Sequence, residues 1–301
     1  MNNHSITVGI PTKDRFEDLE KCLLSLVRQT LLPIEVIIVD DGNLTREQQN
    51  ILGSMIEPAI KFVYVKKNKP SLSASKNLIA KLSKGDLVLI LDDDTIMSND
   101  YIENLASVFL KDFNCRIAAV GGIIANKRHR SIFEKIWGKI FLLDNGIPGS
   151  ITNTMFETRS FETKNECKVK WLTGAITMFR REVLNKYPFE EFQGGRNCLE
   201  DLEIALRIMK EYDYVVTPSA RIYHYHSKKG RESLKITGFK HAYNRCVIFK
   251  KYGRKGFNKM LFAWSFLGYI LGLTVSGKFS AAKGNLAGLS QFLRDSRKSL
   301  V

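Results

Sequence analysis

The chain has 301 residues, 44% of them apolar, which suits one large domain, or one domain with an appendage, around a substantial core. Its five cysteines (Cys22, Cys115, Cys167, Cys198, Cys246) are scattered and form no C-x-x-C, which argues against a disulfide framework or a zinc site and fits a reducing compartment. The formal net charge of +15 lies wholly in the last 81 residues, where 17 Lys and Arg face only Glu232 and Asp295, while residues 1–220 balance to zero. A neutral body with a basic tail points the tail toward an anionic surface, either membrane lipid or nucleic acid.

The first half alternates strands with helices. "ITVGIP" reads as a strand and Asp14–Thr30 as an amphipathic helix with Phe16, Leu19, Leu23, Leu26 and Val27 on one side. The strand "IEVIIVDDG" precedes a helix over Thr45–Met55, with Thr45 as N-cap. "IKFVYVKK" is a third strand, Ser71–Ser83 a helix, "DLVLILDDD" a fourth strand, Asn99–Phe113 a helix and "RIAAVGGII" a fifth strand. Such alternation predicts an α/β fold: a mostly parallel sheet with helices on both faces. Residues 127–168 are less regular, with an amphipathic stretch near Ile132–Leu143. "KVKWLTGAITMFRREVL" predicts a strand running into a short helix, "CLEDLEIALRIMKEY" a helix, and "YVVTPSARIYHYHS" a pair of short strands. The opening "MNNHSITVGIPTKDR" has no apolar run of signal-peptide length, so a cytoplasmic chain is expected.

Ligands of open parallel sheets bind outside the carboxyl ends of the strands. Three strands here end in "PTKDR", "VDDG" and "LDDDT", which places Asp40 and Asp92–Asp94 along one edge. A single Asp at a strand end is an ordinary turn or cap. Three in a row repel one another unless a cation neutralises them. Carboxylates are hard oxygen ligands for Mg²⁺ or Mn²⁺, ions that commonly also hold substrate phosphates. A P-loop ATPase also has an apolar strand ending in acids. Its phosphate loop has only a near miss here, "GLTVSGKF", with Phe279 at the hydroxyl position.

The ordered set "VGIPTKDR", "IIVDDGN", "NKPSLSASKN", "GDLVLILDDDT", "WLTGAITMFRREVL", "CLEDLEIALRI" and "ARIYHYH" resembles the inverting family 2 glycosyltransferases of the GT-A fold, over about Ser5–His226. The resemblance implies a nucleotide-sugar-binding half (residues 1–125) and an acceptor and catalytic half (126–226), followed by a basic helical membrane-associating region (227–301). It also implies roles. Pro11, Thr12, Asp40, Lys76, Asp92 and Asp93 would contact the nucleotide sugar. Asp92, Asp94 and His224 would hold Mn²⁺ or Mg²⁺. Asp201 would be the catalytic base, and Trp171, Gly174 and Glu200 would meet the acceptor. The donor would be a nucleoside-diphosphate sugar, UDP-sugar favoured, and the acceptor a glycan or lipid-linked sugar in surface-polysaccharide assembly. A catalytically silent nucleotide-sugar binder of the same fold is the alternative. Ser71, where the family often has Gly, and Asn43, where it usually has Ser, are departures. The Q-x-x-R-W signature of processive synthases is absent, so one sugar per encounter is expected.

In the tail, Phe239–Tyr252 predicts a basic amphipathic helix and Met260–Gly277 an uncharged stretch of 18 residues edged by Lys259 and Lys278. Eighteen residues is at the lower limit of a membrane span, and positive charge on both flanks opposes spanning. The expectation is peripheral binding to an anionic inner membrane face, with no nucleic acid.

Overall fold

The computed structural model describes residues 4–158, 163–192, 198–253, 256 and 258–298. Apolar runs of five to seven residues become buried parallel strands, because helices cover both of their faces. In chain order the elements are β1 (Ile6–Thr12), α1 (Phe16–Leu26), β2 (Glu35–Asp40), α2 (Arg46–Ser54), β3 (Lys61–Lys66), α3 (Leu72–Leu82), β4 (Leu87–Leu91), β5 (Thr95–Met97), α4 (Tyr101–Leu110) and β6 (Ile117–Ile124). They continue as α5 (Ile132–Ile140), β7 (Cys167–Val169), β8 (Ile176–Arg180), α6 (Arg181–Lys186), α7 (Glu200–Ile208), β9 (Asp213–His224), α8 (Leu234–Tyr252), α9 (Asn258–Val275) and α10 (Phe279–Lys298). Thr45 caps α2 as expected, in a reciprocal capping box with Gln48. Ser71 caps α3 through the amide of Ala74, which gives this departure from the family pattern a local reason.

Among the described residues nine strands form one sheet in the order β3-β2-β1-β4-β8-β6-β9-β5, with β7 on β9. Strand alternation divides the core into two layers. Val36, Ile38, Leu87 and Leu89 pack on one face, and Ile37, Val39, Val88 and Ile90 on the other.

The structure departs from the expected strands in two places. β8 enters antiparallel between β4 and β6, so the sheet is parallel only on its β3-β2-β1-β4 side and mixed beyond. The expected pair of short strands around Pro218 is one strand, β9. Proline has no N–H for the ladder. The register against β6 shifts between Gly121 and Ile123, so the proline is absorbed in an irregularity instead of ending the strand.

The three C-terminal helices form the appendage, and α8 roots it in the body. Ile248 is wholly buried in the second core layer, and Asn244 donates to the Cys198 carbonyl at 2.8 Å. Arg245 pairs with Glu157 at 2.9 Å and also meets the Met155 carbonyl. The basic surface expected here is therefore divided: Lys240, His241 and Arg245 are buried, and Lys250 and Lys251 are exposed. α10 lies close on α8: a Cβ at Gly284 or Gly288 would meet the Lys235 or Phe239 carbonyl at 2.1 or 2.3 Å. Among the described residues no helix is long and apolar enough to cross a membrane.

Candidate active site

The parallel strands β1, β2 and β4 deliver their last residues to one edge, where Thr12 is in register with Asp40 and Asp92 follows the end of β4. Directly after the acids, β5 pairs antiparallel with the end of β9, placing Thr95 opposite His224. That pairing makes the site. It sets His224 Nε2 2.9 Å from Asp94 Oδ1 and 3.7 Å from Asp92 Oδ2. One ligand atom from each of Asp92, Asp94 and His224 lies within 4.8 Å of the others.

Asp94 Oδ1 and His224 Nε2 are buried and make no hydrogen bond of acceptable geometry with each other or with another group. Buried polar atoms in that condition want a partner. Two carboxylates and an imidazole converging on one point are the donor set of a divalent cation. These residues fit such an ion.

Electrostatics separates the three aspartates. Burial pushes Asp92 up, against the pull of His224. Burial also pushes Asp94 up, but His224, the Ser227 amide and Arg15 outweigh it and hold this carboxyl well below the usual range. Burial lowers His224, but Asp94 and Asp92 raise it above an ordinary histidine. Asp93 was expected at the nucleotide, yet it turns away. Its oxygens accept from Thr12 Oγ1 at 2.8 Å and Arg15 Nη1 at 2.7 Å, and it is only 2% exposed. Burial, only partly offset by Arg15, pushes it up to about 6. The acids lie in the turn between β4 and β5, which aims Asp92 and Asp94 at His224 and Asp93 at Thr12 and Arg15.

A second charged cluster stands at the start of α7. Lys76 Nζ, on α3, is 2.9 Å from both Glu200 Oε1 and Asp201 Oδ1 and is buried. Burial lowers this ammonium, but Asp201 and Glu200 override it and raise it above an ordinary lysine. Adjacent helical residues are rotated by about 100°, so the two acids cannot face the same way. Asp201 lines the cleft and its side chain is 21% exposed. Glu200, expected at the acceptor, points inward, with its side chain 6% exposed. Gly174 was also expected at the acceptor. A Cβ there would sit 2.1 Å from Asp201 Oδ1 and 2.8 Å from Lys76 Nζ, so only glycine admits the Lys76–Asp201 pair.

His224 of the first cluster and Asp201 of the second line one cleft of about 550 Å³, whose walls also include Trp171, Leu202 and His226. The rings of His224 and His226 lie with centroids 3.9 Å apart and planes tilted by 36°, and of the two only His224 joins the cluster with both aspartates. Pro11 is buried beside Thr12. Asp40 is wholly buried, and its oxygens accept from the Gly42 and Leu44 amides at 2.6 and 3.1 Å and from the Tyr64 hydroxyl at 2.8 Å. It shapes the β2–α2 turn.

Sequence reasoning missed Arg15 and the segment after β9. Arg15 bonds Asp93 and the Lys229 carbonyl at 2.7 Å each, and Ser227 N donates to Asp94 Oδ2 at 2.8 Å. Arg231 comes within 3.5 Å of the same oxygen. The single signal was the basic run "SKKGR" right after the histidines.

The family model described as Glycosyl transferase family 2 matches residues 7–188, more than half of the chain. Poly(ribitol-phosphate) beta-N-acetylglucosaminyltransferase TarP of Staphylococcus aureus (strain N315) is 28% identical over 171 residues, 55% of this chain and 52% of that protein. The chain spans 21% and 52% of the lengths of the first two curated relatives it matches. Among solved structures, GalNAc-T7 with UDP, GalNAc and Mn²⁺ gives a TM-score of 0.62 at 13% identity, over 83% of this chain and 48% of that one. The mannosyltransferase PcManGT from Pyrobaculum calidifontis, in complex with GDP-Man and Mn²⁺, gives 0.57 at 16%, over 97% and 81%. These neighbours share the expected GT-A fold. With its strand-end acids, mixed sheet and residues 7–188 all in agreement, the chain belongs to glycosyl transferase family 2.

Proposed function

We propose that this protein is a metal-dependent, inverting glycosyltransferase. It moves one sugar per encounter from a nucleoside-diphosphate donor, UDP-sugar favoured, to a glycan or lipid-linked acceptor in cell-surface polysaccharide assembly. It works on the cytoplasmic side, at the inner face of the membrane. One observation carries the reading: His224, which converges with Asp92 and Asp94, lines the same cleft as Asp201. TarP's printed activity and the UDP, GDP-Man and Mn²⁺ in the neighbouring structures support it.

Asp92, Asp94 and His224 would hold Mn²⁺ or Mg²⁺. When bound, the cation supplies positive charge to the leaving diphosphate. Asp201 accepts the proton of the acceptor hydroxyl, which is a poor nucleophile until deprotonated. Lys76 holds the Asp201 carboxylate at the cleft through a 2.9 Å hydrogen bond. Asp93 fixes Thr12 and Arg15, and through them the β1–α1 turn beside Pro11, where the nucleotide base docks. Trp171 forms an apolar wall for the acceptor sugar. With one base and a leaving group on the opposite side of the reacting carbon, a single displacement inverts it.

The test is a thermal-shift and turnover screen of UDP- and GDP-sugars with and without Mn²⁺. Stabilisation by at least one donor only when Mn²⁺ is present, with release of its diphosphate, is the expected result. No response to any donor would sink the proposal.

A further inference from the structure

The apolar stretch of the tail does not act alone. α9 turns Phe266 into the core, while Met260, Trp264, Leu267, Leu271 and Val275 form a stripe along its outer side. Met260 and Val275, near the two ends, are 69% and 70% exposed. α5 lies against it. Trp137 Nε1 donates to the Gly268 carbonyl at 3.0 Å, and Trp264 Nε1 donates to the Ile140 carbonyl at 2.9 Å. A Cβ at Gly268 would overlap the Phe141 ring, so the two helices touch at backbone distance. α5 adds Ile132, Phe133, Ile136 and Ile140 to the surface, the first two 77% and 60% exposed. Two outward apolar stripes thus meet at the Trp264–Ile140 contact. Scattered surface leucines are normal, but a contiguous face of this kind marks an interaction site.

Charge identifies the occupant. Exposed Lys135 and Lys139 on α5, with Lys259 and Lys278 at the ends of α9, border the face. No acidic residue occurs between Glu232 and Asp295. On α5 the sole acid, Glu134, pairs with Arg128 at 2.5 Å. Two copies of so basic a surface would repel one another. An anionic lipid surface matches both halves of it, with apolar side chains entering the acyl boundary and lysines at the headgroups.

We propose that α5 and α9 together form a monotopic docking face for an anionic membrane. α5 belongs to the catalytic half, so the membrane contact is built into the body and is not confined to the tail. The segment that leads into α5 also lines the cleft, through Lys127 and His129. Ile132 follows His129 by three residues, at most about 11 Å along the chain. The mouth of the cleft is thereby held near the headgroups, where a lipid-linked acceptor presents its sugar. This last clause rests on the proposed transferase reading; the docking face does not.

The experiment is co-sedimentation of the full chain with phosphatidylglycerol-containing or pure phosphatidylcholine vesicles, with size-exclusion chromatography in their absence. Binding to the anionic vesicles that weakens with salt is expected, and Ile136→Glu with Leu267→Glu lowers it by about tenfold or more. Phe113→Glu is the control. Phe113 is 92% exposed but precedes β6, whereas α5 follows the other end of that strand. It should bind as wild type does. A circular-dichroism spectrum matching wild type confirms that the double variant folds. Equal binding to both vesicle types, no binding at all, or full binding by the double variant overturns the proposal. So does a dimer that the double variant abolishes. All readouts are binding, so they stand whether or not donor turnover is found.

Discussion

Two groups of carboxylates flank one cleft, and they are neutralised in opposite ways. Glu200 and Asp201 have their cation in the chain itself, the Lys76 ammonium 2.9 Å from each. Asp92 and Asp94 share an imidazole, and Asp94 Oδ2 also meets Ser227 N, Arg231 and Arg15 at 2.8, 3.5 and 3.6 Å, yet Oδ1 of Asp94 and Nε2 of His224 remain unsatisfied. A cation on a side chain cannot leave, so the first cluster is a fixed piece of electrostatics. The second, on the proposed reading, would take up an ion with each donor. The cleft thus has one permanent charge pair and one that a ligand completes.

The comparison can be broken at either end. Asp201→Asn should lower kcat by about 10³-fold with Mn²⁺ binding unchanged, because the proton acceptor is removed while the other cluster is untouched. Steady-state kinetics beside Mn²⁺ titration calorimetry checks it, and wild-type turnover would remove Asp201 from the reaction. Asp94→Ala should abolish Mn²⁺ binding and lower turnover by about 10²–10³-fold. A chelator should do the same to wild type, reversibly, and the variant should not respond to added metal. Lys76→Met should destabilise the fold by about 3 kcal/mol, since the buried Glu200 and the half-buried Asp201 lose their partner. Urea unfolding measures this, and the loss should shrink in Lys76→Met/Glu200→Gln.

The smaller effects sharpen the contrast. A metal needs the neutral imidazole, so Mn²⁺ and protons compete for His224. Its protonation lies above the ordinary histidine value in the metal-free protein. Mn²⁺ affinity should therefore begin to fall as pH drops from a point above about 6.5, by at most tenfold per pH unit for this single proton. Calorimetry from pH 8 to 5.5 checks it, and an onset clearly below 6.5 would contradict the raised value. Asp93→Asn should be the mildest change, about 1 kcal/mol near neutral pH, because the amide oxygen still accepts from Thr12 or Arg15. The sign of its pH dependence follows from its folded value of about 6, above an unfolded aspartate. The folded state binds the extra proton between about 4 and 6, so this group makes wild type lose stability as pH rises through that window. The asparagine variant should lack this component.

How much was legible follows the range of each interaction. β1 to β4, their helices and the Thr45 cap are written in local periodicity and short-range hydrogen bonds. The strand-end acids could be placed on one edge because parallel strands share a direction. The antiparallel entry of β8 and the continuity of β9 through Pro218 depend on partners distant in sequence. The same holds for Arg15, whose carboxylate partner is 78 positions away. At Glu200 and Asp201 the family pattern named both acids, but only helix rotation decides which one reaches the cleft. At Asp93, grouped with the nucleotide contacts, the neighbours were visible but not the side its carboxylate takes, toward Thr12 and Arg15. α8 misled because a basic residue counts as surface until a buried partner such as Glu157 is seen.

The rooting of α8 bears on how such enzymes can be recombined. Cutting after residue 226 would strip Glu157 of its guanidinium and open the core layer around Ile248. A chimera that exchanges the tail there would inherit a damaged body. A graft of another α9 and α10 would have to keep small residues where Gly284 and Gly288 meet α8 and where Gly268 meets the Phe141 ring.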